Sequence, residues 1–330
     1  MSVILPTPDN AETIRRTVEA LAAQTVAHLL ELVIVAPNGR LRLDVLPVEG
    51  FAGIQLVPIG EMTTSNAARV AGIRAARAPI VALAEDHCFP SPTWAASLLA
   101  AHDQGCAAAG PVLSNANPGS AVSWSNFLAE YGHWVGKAAG EIDHLPGHNS
   151  SYCRALLLEL SHELVPLMEA EIVLQAELRR RGHRLLLAPA AQADHYNFSL
   201  WTSSVLLRFN GGRLFAGHRI RGWGWGRRLM YAAGAPLIPL VRTFRIVRSA
   251  RNCTELPMRR RRLLPVVLVL LVIDAAGELV GYLTGPGRAG ATLAGIEFHR
   301  ERYMNTSDRR RYQGALSDPV AAGSGVGQGL

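Results

Sequence analysis

Residues 79–84 form a short apolar run that stops abruptly at Glu85-Asp86-His87 and is followed by Cys88-Phe89-Pro90. Four to eight apolar residues bounded by Pro read as a buried strand of the kind found inside a parallel sheet. In open α/β sheets, ligands bind just beyond the carboxyl ends of such strands. Two carboxylates and an imidazole at that place suit a divalent cation, Mg²⁺ or Mn²⁺. The alternative is a charged strand-to-loop transition without chemistry, and the surrounding chain has to decide between the two.

That chain alternates between strand and helix signals. Asn10 is a plausible N-cap for a helix in which Ile14, Val18 and Leu21 recur at helical spacing. Strands are expected at residues 32–35 and 54–58, an Ala-rich helix at 66–76, and the strand at 80–84. A helix over 92–103 carries Pro in its first turn, and 106–112 reads as another buried strand. This order predicts an α/β fold with a doubly wound, mostly parallel sheet and right-handed crossovers. Residues 123–136 are aromatic and Gly-spaced, a loop with a short helix. Residues 154–167 and 167–181 read as helices with Gly182 as C-cap, and a strand at 184–188 precedes Asp194-His195.

Composition bounds the rest. A chain of 330 residues can hold one sizeable core with an appendage, or two small domains. Four cysteines without paired spacing signal neither a disulfide framework nor a zinc site, which suits a reducing compartment. Residues 1–7 read as a core strand, too short and uncharged for a signal peptide. The net charge of +7 is unevenly spread: residues 208–262 hold 14 arginines and a single acid, Glu255. No nucleic-acid motif accompanies this block, and it is interleaved with apolar sequence. Arg-rich segments beside apolar ones are drawn to anionic lipid, so a membrane partner is favoured over nucleic acid.

Beyond residue 200 the character changes. Residues 222–228 mix Trp, Gly and Arg, a composition common at membrane interfaces. Residues 231–241 are apolar but broken by Pro236 and Pro239. Residues 263–283 reach the length of a span but contain Asp274 and Glu278, so they read as interfacial or re-entrant; two ordinary buried helices are the alternative. From Ala315 onward the chain is rich in Gly, Ser and Ala and is expected to be disordered. The resulting division is 1–200, 201–312 and a tail, 313–330.

The order of motifs over roughly residues 1–200 resembles family 2 glycosyltransferases, whose GT-A domain binds nucleotide-diphospho-sugars. Ser2-Val3-Ile4-Leu5-Pro6-Thr7 resembles that family's opening strand, and the stretch ending in Gln24-Thr25 its first helix. The segment from Asn66 to Ile73, with Arg69, resembles the one preceding the metal strand. Glu85-Asp86-His87 stands where the family carries Asp-x-Asp, with Pro90 and Trp94 downstream. Leu145-Pro146-Gly147-His148-Asn149 resembles the acceptor-side loop. Glu171, eleven residues before Gly182, falls where the family places its catalytic carboxylate. His195 resembles the C-terminal His that completes the metal site in parts of the family. The departures are Ala36-Pro37-Asn38 where acids usually hold the nucleoside, Val70 for a usual Asn, and Glu and His in place of the two Asp.

The resemblance implies an inverting, metal-assisted hexosyltransferase. Glu85, His87 and His195 are then the ligands of a divalent cation, with imidazoles favouring Mn²⁺ over Mg²⁺. Glu171 is the general base, and Pro6, Thr7, Asn66, Arg69, Asp86 and Asn149 bind the donor or its surroundings. Extended geometry turns Glu85 and His87 to one side and Asp86 to the other, toward ribose or sugar hydroxyls. The expected partners are a nucleotide-diphospho-sugar donor, a lipid-linked or glycan acceptor and an anionic membrane surface, at the cytoplasmic face of a bacterial inner membrane. A catalytically degenerate GT-A-like binding or scaffold protein at the membrane is the competing reading.

Overall fold

The computed structural model describes residues 1–8, 11–37, 41–60, 62, 64–168, 171–251, 253, 256 and 260–313. The expected cap Asn10, Asn38 after the second strand and the tail from Ala315 lie outside the described residues. Among the described residues, nine strands form one sheet: β1 (Ser2–Pro6), β2 (Glu31–Pro37), β3 (Gly53–Ile59), β4 (Ile80–Leu83), β5 (Cys88–Pro90), β6 (Ala108–Asn115), β7 (Gly140–Glu141), β8 (Ser151–Cys153) and β9 (Leu185–His195). Their order is β3-β2-β1-β4-β8-β6-β9-β5, with β7 paired to β9.

The first half of the sheet follows the expectation. β3, β2, β1 and β4 are mutually parallel, and Val3, Ile4, Val33, Ile34, Val81 and Leu83 are fully buried, as strands covered on both faces require. The helix Ser65–Ala75 begins at Thr64, whose hydroxyl accepts from the Ala67 N–H at 3.2 Å. It lies close on β1: a Cβ added to Gly72 would meet Ile4 Cγ2 at 2.4 Å. The helix Ala11–Ala22 buries Ile14, Val18 and Leu21, as their spacing predicts.

The second half departs from the mostly parallel expectation: the sheet is mixed. β8 inserts antiparallel between β4 and β6, while β5 and β7 run antiparallel to β9. These strands have two or three residues, too few for any periodic signal. β8 owes its direction to Asn149, whose φ of 63° reverses the chain just before it. Asn tolerates this left-handed conformation better than most residues. β9 is parallel to β6 and runs to His195 rather than stopping near residue 188. Pro189 interrupts the pattern, and the ladder absorbs it by shifting register between Gly110 and Val112.

Two helical expectations also change. The aromatic segment forms the helix Ala121–Glu130, with Ser120 Oγ accepting from Ser123 N. Residues 154–181 break into the helices Arg154–Glu159, Leu164–Met168 and Glu171–Arg180, with Pro166 inside the middle piece. Gly182 ends the last of them at φ 88°, as expected of a C-cap.

Beyond residue 200 the described residues form the helices Trp201–Arg219, Trp225–Gly234, Ile238–Ala250, Arg260–Thr284, Ala289–Phe298 and Thr306–Tyr312. Within it, Arg262–Thr284 is long and apolar enough to cross a membrane by length and composition, with 44% of its most apolar window buried inside the protein. The final helix returns to the sheet, where the Tyr312 hydroxyl donates to the Asp86 carbonyl at 3.1 Å.

Candidate active site

The site sits where β4 ends and β9 ends. After Leu83, the backbone of Ala84 still donates to Ile4 O, and the next three residues leave the sheet. Glu85 O accepts from Thr17 Oγ1, and His87 O accepts from the Tyr196 N–H, so both flanks of the turn are tied to neighbouring elements. His195, the last residue of β9, stands opposite Cys88 of β5 and Asn115 of β6. Sheet register thereby brings residues 85, 87 and 195 together.

Glu85, His87 and His195 are buried, and one ligand atom from each falls within 4.8 Å of the others. His87 Nε2 is 3.7 Å and His195 Nε2 3.9 Å from Glu85 Oε2. The two rings meet edge to face at 4.8 Å. Each imidazole is also fixed through its other nitrogen, His87 Nδ1 by Asp86 Oδ1 at 2.7 Å and His195 Nδ1 by Asn197 Oδ1 at 3.1 Å. Outer partners of this kind orient metal-binding imidazoles. Asp86 thus turns to His87, where strand alternation had pointed it away toward ribose or sugar hydroxyls. Alternation fails because the chain has left the sheet.

The electrostatics fit a cation. Burial pushes the Glu85 carboxyl up, but the imidazoles of His148, His87 and His195 and the Arg69 guanidinium together hold it well below the ordinary carboxylate range. Burial and the neighbouring His87 push His195 well below the usual imidazole value, leaving it neutral and able to donate a lone pair. A carboxylate with two imidazole nitrogens is a donor set for Mn²⁺ or a similar ion more than for Mg²⁺. The residues present therefore fit a divalent cation.

Glu171 approaches from the other side. Arg69 Nη1 donates to Glu171 Oε1 at 2.9 Å, and Arg69 Nη2 lies 3.6 Å from Glu85 Oε1 and 2.7 Å from His148 Nδ1. His148 Nδ1 is itself 3.2 Å from Glu171 Oε1 and 3.4 Å from Glu85 Oε1. Asn66 Oδ1 accepts from Arg69 at 3.3 Å. Gly147 is needed here, because a Cβ on it would lie 2.8 Å from the Glu171 carboxyl carbon and 2.9 Å from its Cβ. Asn149 hydrogen-bonds through Nδ2 to Glu85 Oε2 at 3.2 Å and through its backbone N–H to Leu83 O. The Pro146–Asn149 turn, read as presenting polar groups to an acceptor, thus also braces the two carboxylates.

Pro6, Asn66, Arg69, Glu85, Asp86, His87, Glu171 and His195 all line one cavity of about 610 Å³. Asn149 and Thr7 do not line it; Thr7 is fully buried and donates its backbone N–H to Val35 O. His148 of the Pro146–Asn149 turn lines it as well, and most other lining residues had no sequence signal. The Tyr131 hydroxyl lies 3.2 Å from His195 Nε2, and Asn197 is held by Asn115 and Asn117. The far wall is made by Leu207, Leu214 and His218 of one C-terminal helix and by Leu293, Ala294 and Arg300. An Asn two residues after His195 was the one available hint to this shell.

Residues 2–161 match the sequence profile of Glycosyl transferase family 2. This stretch resembles family 2 glycosyltransferases. The match takes in β1 to β8 and Glu85 to His87, and it stops short of Glu171 and His195. A mannosyltransferase from Pyrobaculum calidifontis, solved with GDP-Man and Mn²⁺, is similar at 16% identity over 84% of this chain and 86% of that one, with a TM-score of 0.53. The chain therefore shares a GT-A fold. TarS residues 1–349 from S. aureus, solved with UDP, align at 15% identity over 84% and 89% of the two chains, TM-score 0.46. GalNAc-T7, solved with UDP, GalNAc and Mn²⁺, aligns at 16% identity and TM-score 0.45 over 59% of this chain, which spans 43% of GalNAc-T7. No curated protein matches the sequence.

Proposed function

We propose that the protein transfers a hexose, with inversion, from a nucleotide-diphospho-sugar to a lipid-linked or cell-envelope glycan acceptor. The observation that carries this reading is the convergence of Glu85, His87 and His195 in the cavity that also holds Glu171. A divalent cation bound there would offset the negative charge that develops on the leaving diphosphate. Glu171 accepts the proton of an acceptor hydroxyl, with Arg69 and His148 fixing its carboxylate. Asn66 and Arg69 face the same cavity as the donor, and Asp86 serves by orienting His87. The reading puts the protein on the cytoplasmic face of a bacterial inner membrane, which the arginine-rich segment supports because that leaflet is anionic.

The test is a thermal-shift panel of nucleotide diphosphates and nucleotide sugars, with and without Mn²⁺, followed by turnover with a membrane extract. A shift that needs both metal and one nucleotide, with transfer into the extract, is expected. Binding without turnover would support the scaffold reading. No nucleotide-dependent shift at any metal concentration would overturn both.

A further inference from the structure

The helices Trp225–Gly234 and Ile238–Ala250 carry exposed apolar side chains that do not line the cavity of Glu85 and Glu171. Trp225, Leu229, Met230, Leu237, Leu240, Val241 and Phe244 are each between 50 and 69% exposed. On the helix Ile238–Ala250 they are not scattered: Leu240, Val241 and Phe244 share one face, while Pro239, Ile246 and Ala250 are buried on the other. Leu268, Val269 and Val272 of the helix Arg260–Thr284 are also exposed. Apolar patches of this extent mark a binding surface.

Charge says what the surface meets. Residues 208–251 contain ten arginines and no acid. Arg245 and Arg248 follow directly on the apolar face, and Arg227 and Arg228 lie over the rings of Trp223 and Trp225. Trp and Arg flanking an apolar face match the headgroup zone of an anionic bilayer.

Among the described residues, the helix Arg260–Thr284 is the one whose length suggests a span, yet its inner face is committed to the protein. A Cβ on Gly277 would lie 2.0 Å from Phe209 O, one on Gly281 2.4 Å from Arg213 O, and one on Gly212 2.1 Å from Asp274 O. The helix is thus packed backbone to backbone against Trp201–Arg219. Arg242 bonds both acids on this face, Asp274 and, at 2.9 Å, Glu278. Pulling the helix across a bilayer would break that packing and carry two acids into hydrocarbon.

We propose that the protein seats in one leaflet of an anionic membrane without spanning it. The helices Trp225–Gly234 and Ile238–Ala250 lie in the interface plane, and Arg260–Thr284 lies on the same side of the bilayer at both ends. This rests on the membrane reading above and fixes its mode. Trp201–Arg219, which packs on Arg260–Thr284 and shares a groove with the two seated helices, also walls the catalytic cavity through Leu207 and Leu214, so the seat places that cavity beside the leaflet.

The experiment uses the full chain and sealed vesicles of phosphatidylcholine alone or mixed with phosphatidylglycerol. Flotation with the mixed vesicles is expected, weakened but not abolished by salt. The double variant Leu240→Asp/Phe244→Asp should lose at least about tenfold in partition, since two large apolar side chains no longer enter the interface. Donor binding by the same variant, measured with soluble nucleotide, should be unchanged, which separates failure of the seat from failure of the glycosyltransferase reading. Cysteines introduced as Arg251→Cys and Thr284→Cys should both react with an impermeant maleimide added outside the vesicles. Protection of one of the two would mean a spanning helix and overturn the proposal. Equal flotation of the double variant, or preference for RNA over the mixed vesicles, would overturn it as well.

Discussion

Arg69 joins the candidate base to the candidate metal ligand: its Nη1 is 2.9 Å from Glu171 Oε1 and its Nη2 3.6 Å from Glu85 Oε1. Both carboxylates face one cavity with this guanidinium between them, and all three side chains are largely buried. Removing one partner of a buried ionic set leaves uncompensated charge, at a cost of about 3–5 kcal/mol. Arg69→Met should destabilise the protein by that order in chemical denaturation. Mn²⁺ should recover part of the loss, because it supplies positive charge beside Glu85. A loss below about 1 kcal/mol, of the size seen for exposed pairs, would show that Arg69 does not bridge the two.

The metal assignment makes a graded prediction. His87→Ala removes a ligand and should weaken Mn²⁺ binding, read by titration calorimetry, more than any change around it. Asp86→Asn leaves the ligand and alters only its outer partner, so a fall of about 10–100-fold is expected. Equal affinity for Mn²⁺ in wild type and His87→Ala would remove the metal site. An unchanged metal affinity in Asp86→Asn, with weaker nucleotide binding, would return Asp86 to the donor role that strand alternation suggested.

These relationships were unevenly legible in the sequence. Strands β1, β2 and β4 were readable because each carries a continuous apolar run, and Glu85 and His87 were readable because β4 ends just before them. His195 could be placed only by resemblance: Pro189 hides the length of β9, and only sheet register sets His195 against Asn115. The Arg69–Glu171 contact spans 102 residues, and no local pattern encodes it. Tyr131 was missed for the same reason, since an aromatic on a helix face reads as core until its hydroxyl is seen against His195. The antiparallel strands were invisible because two or three residues cannot show alternation. The arginine-rich apolar block, by contrast, was plain from composition, and the structure added which of its faces is outward.

A pH dependence follows from a second pair of rings. His133 and His144 stack at 4.6 Å, and Lys137 Nζ donates to His133 Nε2 at 2.8 Å. Burial, then the charges of Lys137 and His144, lower the His133 pKa to about 4, and burial lowers His144 as well. Both folded values lie below the ordinary imidazole value of about 6.5, so the unfolded chain takes up protons first as pH falls. Stability from this pair is complete above about pH 6.5 and is lost as pH falls toward 4. The melting temperature should drop across that window, and His133→Gln should flatten the drop. An identical pH profile for the variant would assign the whole acid loss to carboxylates such as Glu85, whose depressed folded value also makes stability fall in acid.

The proposed role of Glu171 as base is tested by the near-isosteric Glu171→Gln. The amide keeps the space and can still accept a hydrogen bond from Arg69, yet it cannot take up a proton. Donor affinity should therefore hold while turnover on a hydroxyl acceptor falls by about 10²–10⁴, the range that general-base assistance contributes. An acceptor phosphate is already ionised near neutral pH and needs little such help, so the same variant should lose far less with a lipid phosphate. The ratio of the two losses therefore reports the acceptor class as well as the base. Full activity of Glu171→Gln on a hydroxyl acceptor, with the protein still folded and binding donor, would take Glu171 out of the reaction. The Arg69–His148 clamp would then be a structural brace beneath Glu85.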